Sequence, residues 1–231
     1  MRASQTPPST VSNSSAPSRD GAAGARIAEA IRRRILLGEL QPGDRIRQET
    51  IAAAHGASRA SVREALRILQ ADGLVTTVAN TGAWVARLSQ AECEEIYQVR
   101  ERLEPLLLRL SMPHLGPVRI ERLTRLAHEI ERVTDVEQFL RLDRDLHLLS
   151  YRGAETAMLG DTVERLWDST QHYRRAFSLL LDADDLRVLH DEHHLLVKAI
   201  RDGDGEDAEH VLASHIRRTR LQLAHHPGAF A

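Results

Sequence analysis

The chain has one cysteine, few aromatic residues and no long apolar run. The single Cys93 excludes an intramolecular disulfide and is typical of a reducing compartment. Aromatic residues make up only 3% of the chain and hydrophobic residues 42%, a mixture that favours packed helices over a large sheet. No apolar stretch approaches the ~20 residues that span a bilayer, and the Ser- and Pro-rich N-terminus lacks the hydrophobic segment of a signal peptide. We therefore expect a cytoplasmic protein that does not enter a membrane.

Charge is distributed unevenly along the chain. Residues 24–88 contain ten arginines and six acidic residues, a net charge of +4, whereas residues 89–231 have a net charge of −7. A basic module joined to an acidic one suggests that the basic part meets a polyanion. A charge of +4 is also ordinary for a small domain, so charge alone favours nucleic acid only slightly.

Helix breakers and apolar periodicity divide the chain into a tail and two domains. Residues 1–21, rich in Ser, Pro, Ala and Thr, are predicted to be a disordered tail. Residues 22–88 contain three predicted helices followed by a predicted β-hairpin, with strands at 74–78 and 83–87 around a turn at 79–82. This order of elements is that of a winged helix-turn-helix. Residues 89–226 are predicted to be wholly helical, an all-α bundle. The overall fold prediction is mainly α, with bundle helices near 90–112, 117–132, 134–152, 155–181, 184–202 and 205–225.

The second helix of the helix-turn-helix has two distinct faces. Ser58 is predicted to cap its N-terminus after the break at Gly56. The spacing predicts an exposed arginine row and a buried apolar row, namely Arg59, Arg63 and Arg67 against Val62, Leu66 and Leu69. An exposed arginine row on an isolated helix is usually only solvated, but this one follows the helix order of a DNA-reading domain. Arginine can read guanine in the major groove.

Five motifs resemble the GntR family of bacterial regulators, in its FadR-like branch with a helical FCD effector domain. They are LQPGDRI at 40–46, GASRASVREAL at 56–66, LQADGLV at 69–75, TGAWV at 81–85 and YQVRERLE at 97–104. The resemblance extends over residues 24–225. It implies a homodimeric transcriptional repressor that binds double-stranded operator DNA containing an inverted repeat.

The resemblance also implies which residues meet the operator. Arg59 and Arg63 would contact the DNA, with Ser58 and Ser61 supporting them at the start of the helix. The wing around Asn80 and Gly82 would lie along the minor groove. One departure is Glu49, where some members have a basic residue, although Arg47 could still reach a phosphate.

Four residues in the helical half form a candidate metal site. Asp143 and His147 are four apart and share an inward helix face. The last two helices are predicted to form an antiparallel hairpin about Asp204, and His193 and His215 lie eleven residues on either side of that centre, so they should face each other. Geometry alone leaves two interpretations open: a metal site, or satisfied polar groups in the core.

The resemblance favours the metal, because all four residues match the metal-binding branch of the FCD domain. It implies a divalent ion, Zn first and Ni, Mn or Fe as alternatives. It further implies that a small organic-acid effector fills open coordination positions and that Arg100 holds its carboxylate. Arg100 could instead pair with Glu104, one turn further along the same helix.

Two other functions are compatible with the same residues. Three histidines, an aspartate and an open position could activate water in a metal-dependent hydrolase, but no further carboxylate stands out as a general base. In a metal sensor, the ion itself would be the signal. The favoured prediction is a regulator that is not an enzyme.

Overall fold

The computed structural model describes residues 19–79 and 81–230, and helices dominate both parts of the chain. The N-terminal part contains three helices and three short strands. They are α1 (Arg19–Leu36), β1 (Arg45–Ile46), α2 (Gln48–His55), α3 (Arg59–Ala71), β2 (Val75–Val78) and β3 (Gly82–Val85).

The N-terminal part has its own apolar core. Helix α1 packs against α3, and Ile31, Val62 and Leu69 are almost fully buried between the helices and the sheet. The strands are antiparallel in the order β1-β3-β2, with Thr76 opposite Trp84. The three helices and the β2–β3 hairpin are therefore those of a winged helix-turn-helix.

Two details of the N-terminal part differ from the prediction. Helix α1 begins at Arg19, three residues inside the segment predicted to be a disordered tail, so residues 19–21 are helical. The remainder of that predicted tail, residues 1–18, lies outside the described residues. Strand β1 was not predicted, because two residues are too few for a period-2 pattern to be recognised.

The C-terminal part is a bundle of six helices, as predicted. They are α4 (Gln90–Ser111), α5 (Pro117–Arg132), α6 (Val136–Tyr151), α7 (Leu159–Ser178), α8 (Ala183–Asp202) and α9 (Gly205–Ala224). Helix α7 is shorter than the predicted 155–181, because residues 155–158 precede it as irregular backbone and bends and it ends at Ser178. Leu108, Leu123, Leu146 and Trp167 lie at the centre of the bundle and are almost inaccessible to solvent.

The turn between α8 and α9 determines how the last two helices face each other. Gly203 ends α8 in the left-handed region, at φ 74°, which glycine adopts without steric cost. The Asp204 side chain accepts a hydrogen bond from the Asp207 N–H and so caps α9. The two helices therefore run antiparallel, and residues equally distant from Asp204 come together.

The N-terminal part contacts the bundle along α7. The Tyr173 hydroxyl lies 2.6 Å from the Leu88 N–H, which donates to it, and 3.0 Å from the Leu88 carbonyl oxygen, to which it donates. The Arg32 guanidinium of α1 donates to Asp168 of α7 at 2.9 Å. Within the parts of the chain described, no helix has the length and apolarity needed to cross a membrane.

Candidate metal centre and nucleic-acid interface

The start of α3 is built by two serines. The Ser58 hydroxyl accepts the Ser61 N–H at 3.0 Å, which satisfies a backbone donor of the first turn. The Ser61 side chain is 2% exposed, and its hydroxyl lies 3.0 Å from that of Ser58. Ser61 thus helps to shape the helix start and does not present a surface to DNA, whereas Ser58 is exposed.

The arginine row of α3 is exposed, as the helical spacing predicted. Among the described residues, Arg59 and Arg63 make no ion pair, while Arg67 pairs with Glu64 at 2.7 Å on the same helix. The opposite row, including Val62 and Leu69, is buried. Arg59 and Arg63 are therefore the α3 arginines that are available to a polyanion near the helix N-terminus.

The wing and the start of α2 line an open groove of about 910 Å³. Arg47 precedes α2 and is exposed at the groove wall. Gly82 has φ 143°, a region that other residues rarely adopt, so glycine is required where β3 begins. The predicted contact residue Asn80 lies outside the described residues.

Sequence reasoning missed one basic residue of this groove. Arg45 of β1 donates to the Thr81 carbonyl oxygen at 3.1 Å, and its guanidinium carbon lies 5.9 Å from the centre of the Trp84 ring. It alternates with the buried Ile46, and this alternation was the only available signal in the sequence. Arg45 and Arg47 thus place two exposed positive charges beside the wing.

The structure brings the four predicted metal ligands together inside the bundle. Asp143 and His147 come from α6, His193 from α8 and His215 from α9, and one donor atom from each lies within 4.8 Å of the other three. The His193 and His215 rings are 4.9 Å apart, as the hairpin geometry predicted. All four side chains are buried.

The donor separations are close to those around a bound cation. His193 Nε2 lies 3.1 Å from Asp143 Oδ1, and His147 Nε2 lies 3.8 Å from the same oxygen. Four ligands arranged tetrahedrally at about 2.0–2.1 Å from Zn²⁺ are roughly 3.3 Å apart. Only small side-chain movements separate the observed arrangement from a coordination shell.

Several polar atoms of this cluster are buried without a partner. Asp143 Oδ1 and both ring nitrogens of His147 and His193 have no well-aligned hydrogen bond within the described part of the chain. Buried polar groups are normally satisfied, and leaving one unpaired costs about 1–3 kcal/mol. A cation held by Asp143 Oδ1 and by one nitrogen of each ring would satisfy three of these five atoms. The cluster therefore fits a cation better than it fits an ordinary polar core.

Protonation states in the cluster suit a cation. Burial lowers the pKa of His147 well below its usual range and also lowers that of His193, so both rings are neutral donors. Burial alone would raise the pKa of Asp143, but the charge of Arg174 and the neighbouring histidines outweigh it and hold this pKa well below its ordinary value. Asp143 therefore presents a carboxylate, and His147 and His193 present neutral imidazoles, the forms that bind metals.

Glu192 of α8 orients the fourth ligand. Its carboxylate lies 3.0 Å from His215 Nδ1 and accepts two hydrogen bonds from Arg218, at 2.9 and 2.6 Å. These hydrogen bonds outweigh burial and lower the pKa of Glu192, so it is ionised. A carboxylate on Nδ1 leaves Nε2 of His215 free to act as a ligand, a common outer-shell arrangement.

Two arginines lie against the ring of Trp167, and one of them contacts the cluster. Arg174 donates to Asp143 Oδ2, and its guanidinium carbon lies 4.1 Å from the centre of the Trp167 ring. Arg100 lies 4.4 Å from the same ring and donates to Glu104 at 2.5 Å, the pairing that was the alternative to an effector role. It also donates to the Thr170 hydroxyl at 3.0 Å, so it is held between α4 and α7.

Glu104 is the acceptor that holds this corner of the bundle together. Besides Arg100, it accepts the Tyr151 hydroxyl at 2.6 Å and the Trp167 ring N–H at 2.9 Å, and it is fully buried. Arg174, Trp167 and Glu192 were not predicted from the sequence. The contacts of each depend on how the helices pack together, which local sequence does not indicate.

The N-terminal part has the geometry of a DNA-binding winged helix, and the bundle encloses a buried cluster of side chains that could hold a metal ion. Comparison with known families agrees. The model of bacterial regulatory proteins of the gntR family matches residues 23–85, and the FCD domain model matches residues 95–218. The chain belongs to the GntR family, as a member with an FCD domain, and is a DNA-binding transcription regulator and not an enzyme.

Curated relatives and solved structures extend this likeness. The transcriptional regulator McbR of Escherichia coli is 24% identical over 191 residues, which cover 81% of this chain and 86% of McbR. The gluconate operon transcriptional repressor of Bacillus subtilis is 27% identical over 192 residues, or 78% of this chain and 76% of the repressor. The structure of E. coli McbR/YncC superposes with a TM-score of 0.76 over 87% of this chain and 96% of that chain, at 23% identity, which shows a shared fold.

Proposed function

We propose that this regulator is a homodimeric repressor, released from operator DNA by a small carboxylate that binds beside a divalent metal. The observation that carries the proposal is the buried cluster of Asp143, His147, His193 and His215, whose donor atoms converge. The ring nitrogens of His147 and His193 have no well-aligned hydrogen bond among the residues that the structure describes. Relatives named as operon repressors, including one named for gluconate, support the repressor role. Zn²⁺ is the expected ion, because three imidazoles and one carboxylate suit it.

A balance of charge identifies the kind of effector. With a divalent ion bound, Asp143 contributes −1 and Arg174 contributes +1, so the buried site has a net charge of +2. Buried charge is costly unless it is paired. A carboxylate that coordinates the ion and accepts hydrogen bonds from Arg174 lowers this cost, whereas a neutral molecule does not. Arg100, beside the same tryptophan ring, is the second candidate to hold the effector.

The route to the DNA-binding domain runs through α6 and α7. Arg144 directly follows the ligand Asp143 and donates to Asp168 of α7 at 2.6 Å. Asp168 in turn accepts Arg32 of α1. An effector that draws Arg174 or Asp143 toward the ion would also move Arg144, which follows Asp143. Arg144 would in turn shift the Asp168 carboxylate, which contacts Arg32 of the N-terminal part. For regulation, the effector must bind one arrangement of the two DNA-binding domains more tightly than the other.

An exposed stripe on α4 is the proposed dimer surface. Val99, Leu106 and Leu110 are 40–47% exposed, and Leu103 between them is half-buried. Their spacing of four, three and four residues is the heptad pattern with which two helices pair. A second copy of the same helix is the occupant that this pattern fits, because a two-fold axis brings identical stripes together. Such a dimer matches an operator with an inverted repeat.

A cobalt-substituted protein tests the effector proposal. Co²⁺ in place of Zn²⁺ reports its ligands through visible absorption, so acetate should change the spectrum when it enters an open position, and acetamide, of similar shape but neutral, should not. Replacement of Arg174 by Gln should weaken the acetate response without removing the cobalt. Identical spectra with and without acetate would exclude a carboxylate at the metal.

The alternative function is a metal sensor, and a DNA-binding measurement separates the two. Operator duplexes selected from a random library provide the probe. If removal of the metal by a chelator alone switches operator affinity, and carboxylates have no further effect, the ion is the signal. If the metal-loaded protein releases DNA only when a carboxylate is added, the effector proposal holds.

A further inference from the structure

A second group of metal-binding side chains lies on the outside of the bundle, where α5 meets α8. His128 and Glu131 are one turn apart on α5, and His194 reaches them from α8. The three residues form what we term the surface triad. One donor atom from each lies within 4.8 Å of the other two.

The distances within the surface triad are those of ligands around one ion. Glu131 Oε2 lies 3.2 Å from His194 Nε2 and 3.8 Å from His128 Nδ1. The two imidazole rings are 4.8 Å apart and tilted by 50°. Ligands around a tetrahedral divalent ion are separated by roughly 3.3 Å, so one carboxylate oxygen already stands between two ring nitrogens at nearly the required spacing.

Helix packing holds these side chains in register. On α5, Ala127 and Ile130 are buried next to His128 and Glu131, and on α8, His193 and Val197 are buried close to His194 in the sequence. The donors therefore sit on rigid helices and not on a loop, a condition that favours a defined site. His190, one turn before His194, also faces Glu131 and is half-buried.

We propose that the surface triad of His128, Glu131 and His194 is a second site for a divalent transition metal such as Zn²⁺, Ni²⁺ or Co²⁺, separate from the buried centre. Two imidazoles and a carboxylate suit these ions, and water completes the coordination. Exposure makes the site weaker and faster to exchange than the buried one. His193 and His194 are consecutive and project about 100° apart around the helix axis, so α8 carries one residue of each cluster. An ion at the triad would join α5 to α8.

Zinc titration of the full-length protein tests this proposal. Metal is first removed with a chelator, and Zn²⁺ is then added in competition with a chromophoric chelator. The wild-type protein should bind two equivalents per chain, one tight and one weaker. His194→Ala and Glu131→Gln should each lose only the weaker step. His210→Ala, which removes an exposed histidine of α9 outside the triad, should keep both steps.

The proposal is overturned if the wild-type protein shows no second binding step, or if the second step persists in both triad variants. It is also overturned if the second step results only from zinc that links separate molecules, which sedimentation would detect as an increase in mass. Circular dichroism of each variant verifies that it is folded. Failure of the buried centre gives a different result, because a single weak step would then remain and would disappear in His194→Ala.

Discussion

Asp168 of α7 and Arg32 of α1 form an ion pair at 2.9 Å that joins the helical bundle to the DNA-binding part. The Asp168 side chain is 1% exposed and also accepts Arg144 at 2.6 Å. Arg32 in turn donates to Asp72, immediately after α3, at 2.7 Å. A single buried carboxylate therefore contacts both Arg144, which follows Asp143 in the sequence, and Arg32, which contacts the end of α3.

Asp168→Asn should lower the free energy of unfolding by about 1–3 kcal/mol, because it removes the buried negative charge that Arg144 and Arg32 share, although Arg32 keeps Asp72 as a partner. Urea denaturation followed by circular dichroism measures the change. Glu29→Gln is the matched control: Glu29 pairs with the same Arg32 at 3.2 Å, but its side chain is 72% exposed, so the loss should stay below about 0.5 kcal/mol. Equal losses in the two variants would contradict the role of Asp168 as a buried connector.

Arg59→Ala and Arg63→Ala should each weaken operator binding by about 1–3 kcal/mol and relax base preference. Arg67→Ala should matter less, because Arg67 lies a turn further from the helix N-terminus and is paired with Glu64. Fluorescence anisotropy with a selected operator duplex measures all three. If the first two variants retain full affinity, α3 is not the recognition helix.

The helical face of α3 and the hairpin of α8 and α9 could be predicted from the sequence, because both depend on local periodicity and a turn. The exposure of Arg59 and Arg63 follows from helical spacing, and the meeting of His193 with His215 follows from their equal distance from Asp204. In such segments, the period of the apolar residues determines which side chains share a face.

Other features depended on contacts between distant segments and were not predictable. Arg174 meets Asp143 across 31 residues of sequence, and Glu104 meets Trp167 across 63. Buried polar contacts of this kind leave no periodic signal, since each residue alone resembles an ordinary position of its own helix. The start of α1 was also misplaced, because the Ser- and Pro-rich composition of the residues around it predicted a disordered tail as far as residue 21.

His193→Ala and His215→Ala should remove the tightly held metal, whereas His194→Ala and His190→Ala should leave it nearly unchanged. The first two lie in the buried centre, and the others lie outside it on the same helix as His193. The measurement is metal analysis after dialysis against metal-free buffer, which strips weakly bound ions. Absence of metal from the wild-type protein, or equal loss in His193→Ala and His194→Ala, would show that the buried cluster is not a metal centre.

Cys93 should resist thiol reagents in the folded protein. Its side chain is 1% exposed, and burial raises the pKa of the thiol to about 12. At pH 8 the thiolate fraction is therefore roughly 10³-fold below that of a free cysteine, and labelling by a disulfide reagent should become fast only in denaturant. Because the folded pKa is raised, this group stabilises the fold below about pH 9, and the contribution is lost as pH rises toward 12. Rapid labelling of the native protein would contradict this burial.

The apolar stripe of α4 should hold the dimer together. The double variant Leu106→Glu, Leu110→Glu places charges on side chains that are 47% and 46% exposed in the single chain, so the fold should survive while pairing is lost. Sedimentation should show a mass that falls from twice 25.9 kDa to 25.9 kDa, and operator affinity should fall with it, because one winged helix contacts only one half-site. Val118→Glu on α5 is the control, since Val118 is 77% exposed but outside the stripe, and it should leave the dimer intact. A wild-type protein that is monomeric at micromolar concentration, or a double variant that remains dimeric, would place the two-fold contact elsewhere.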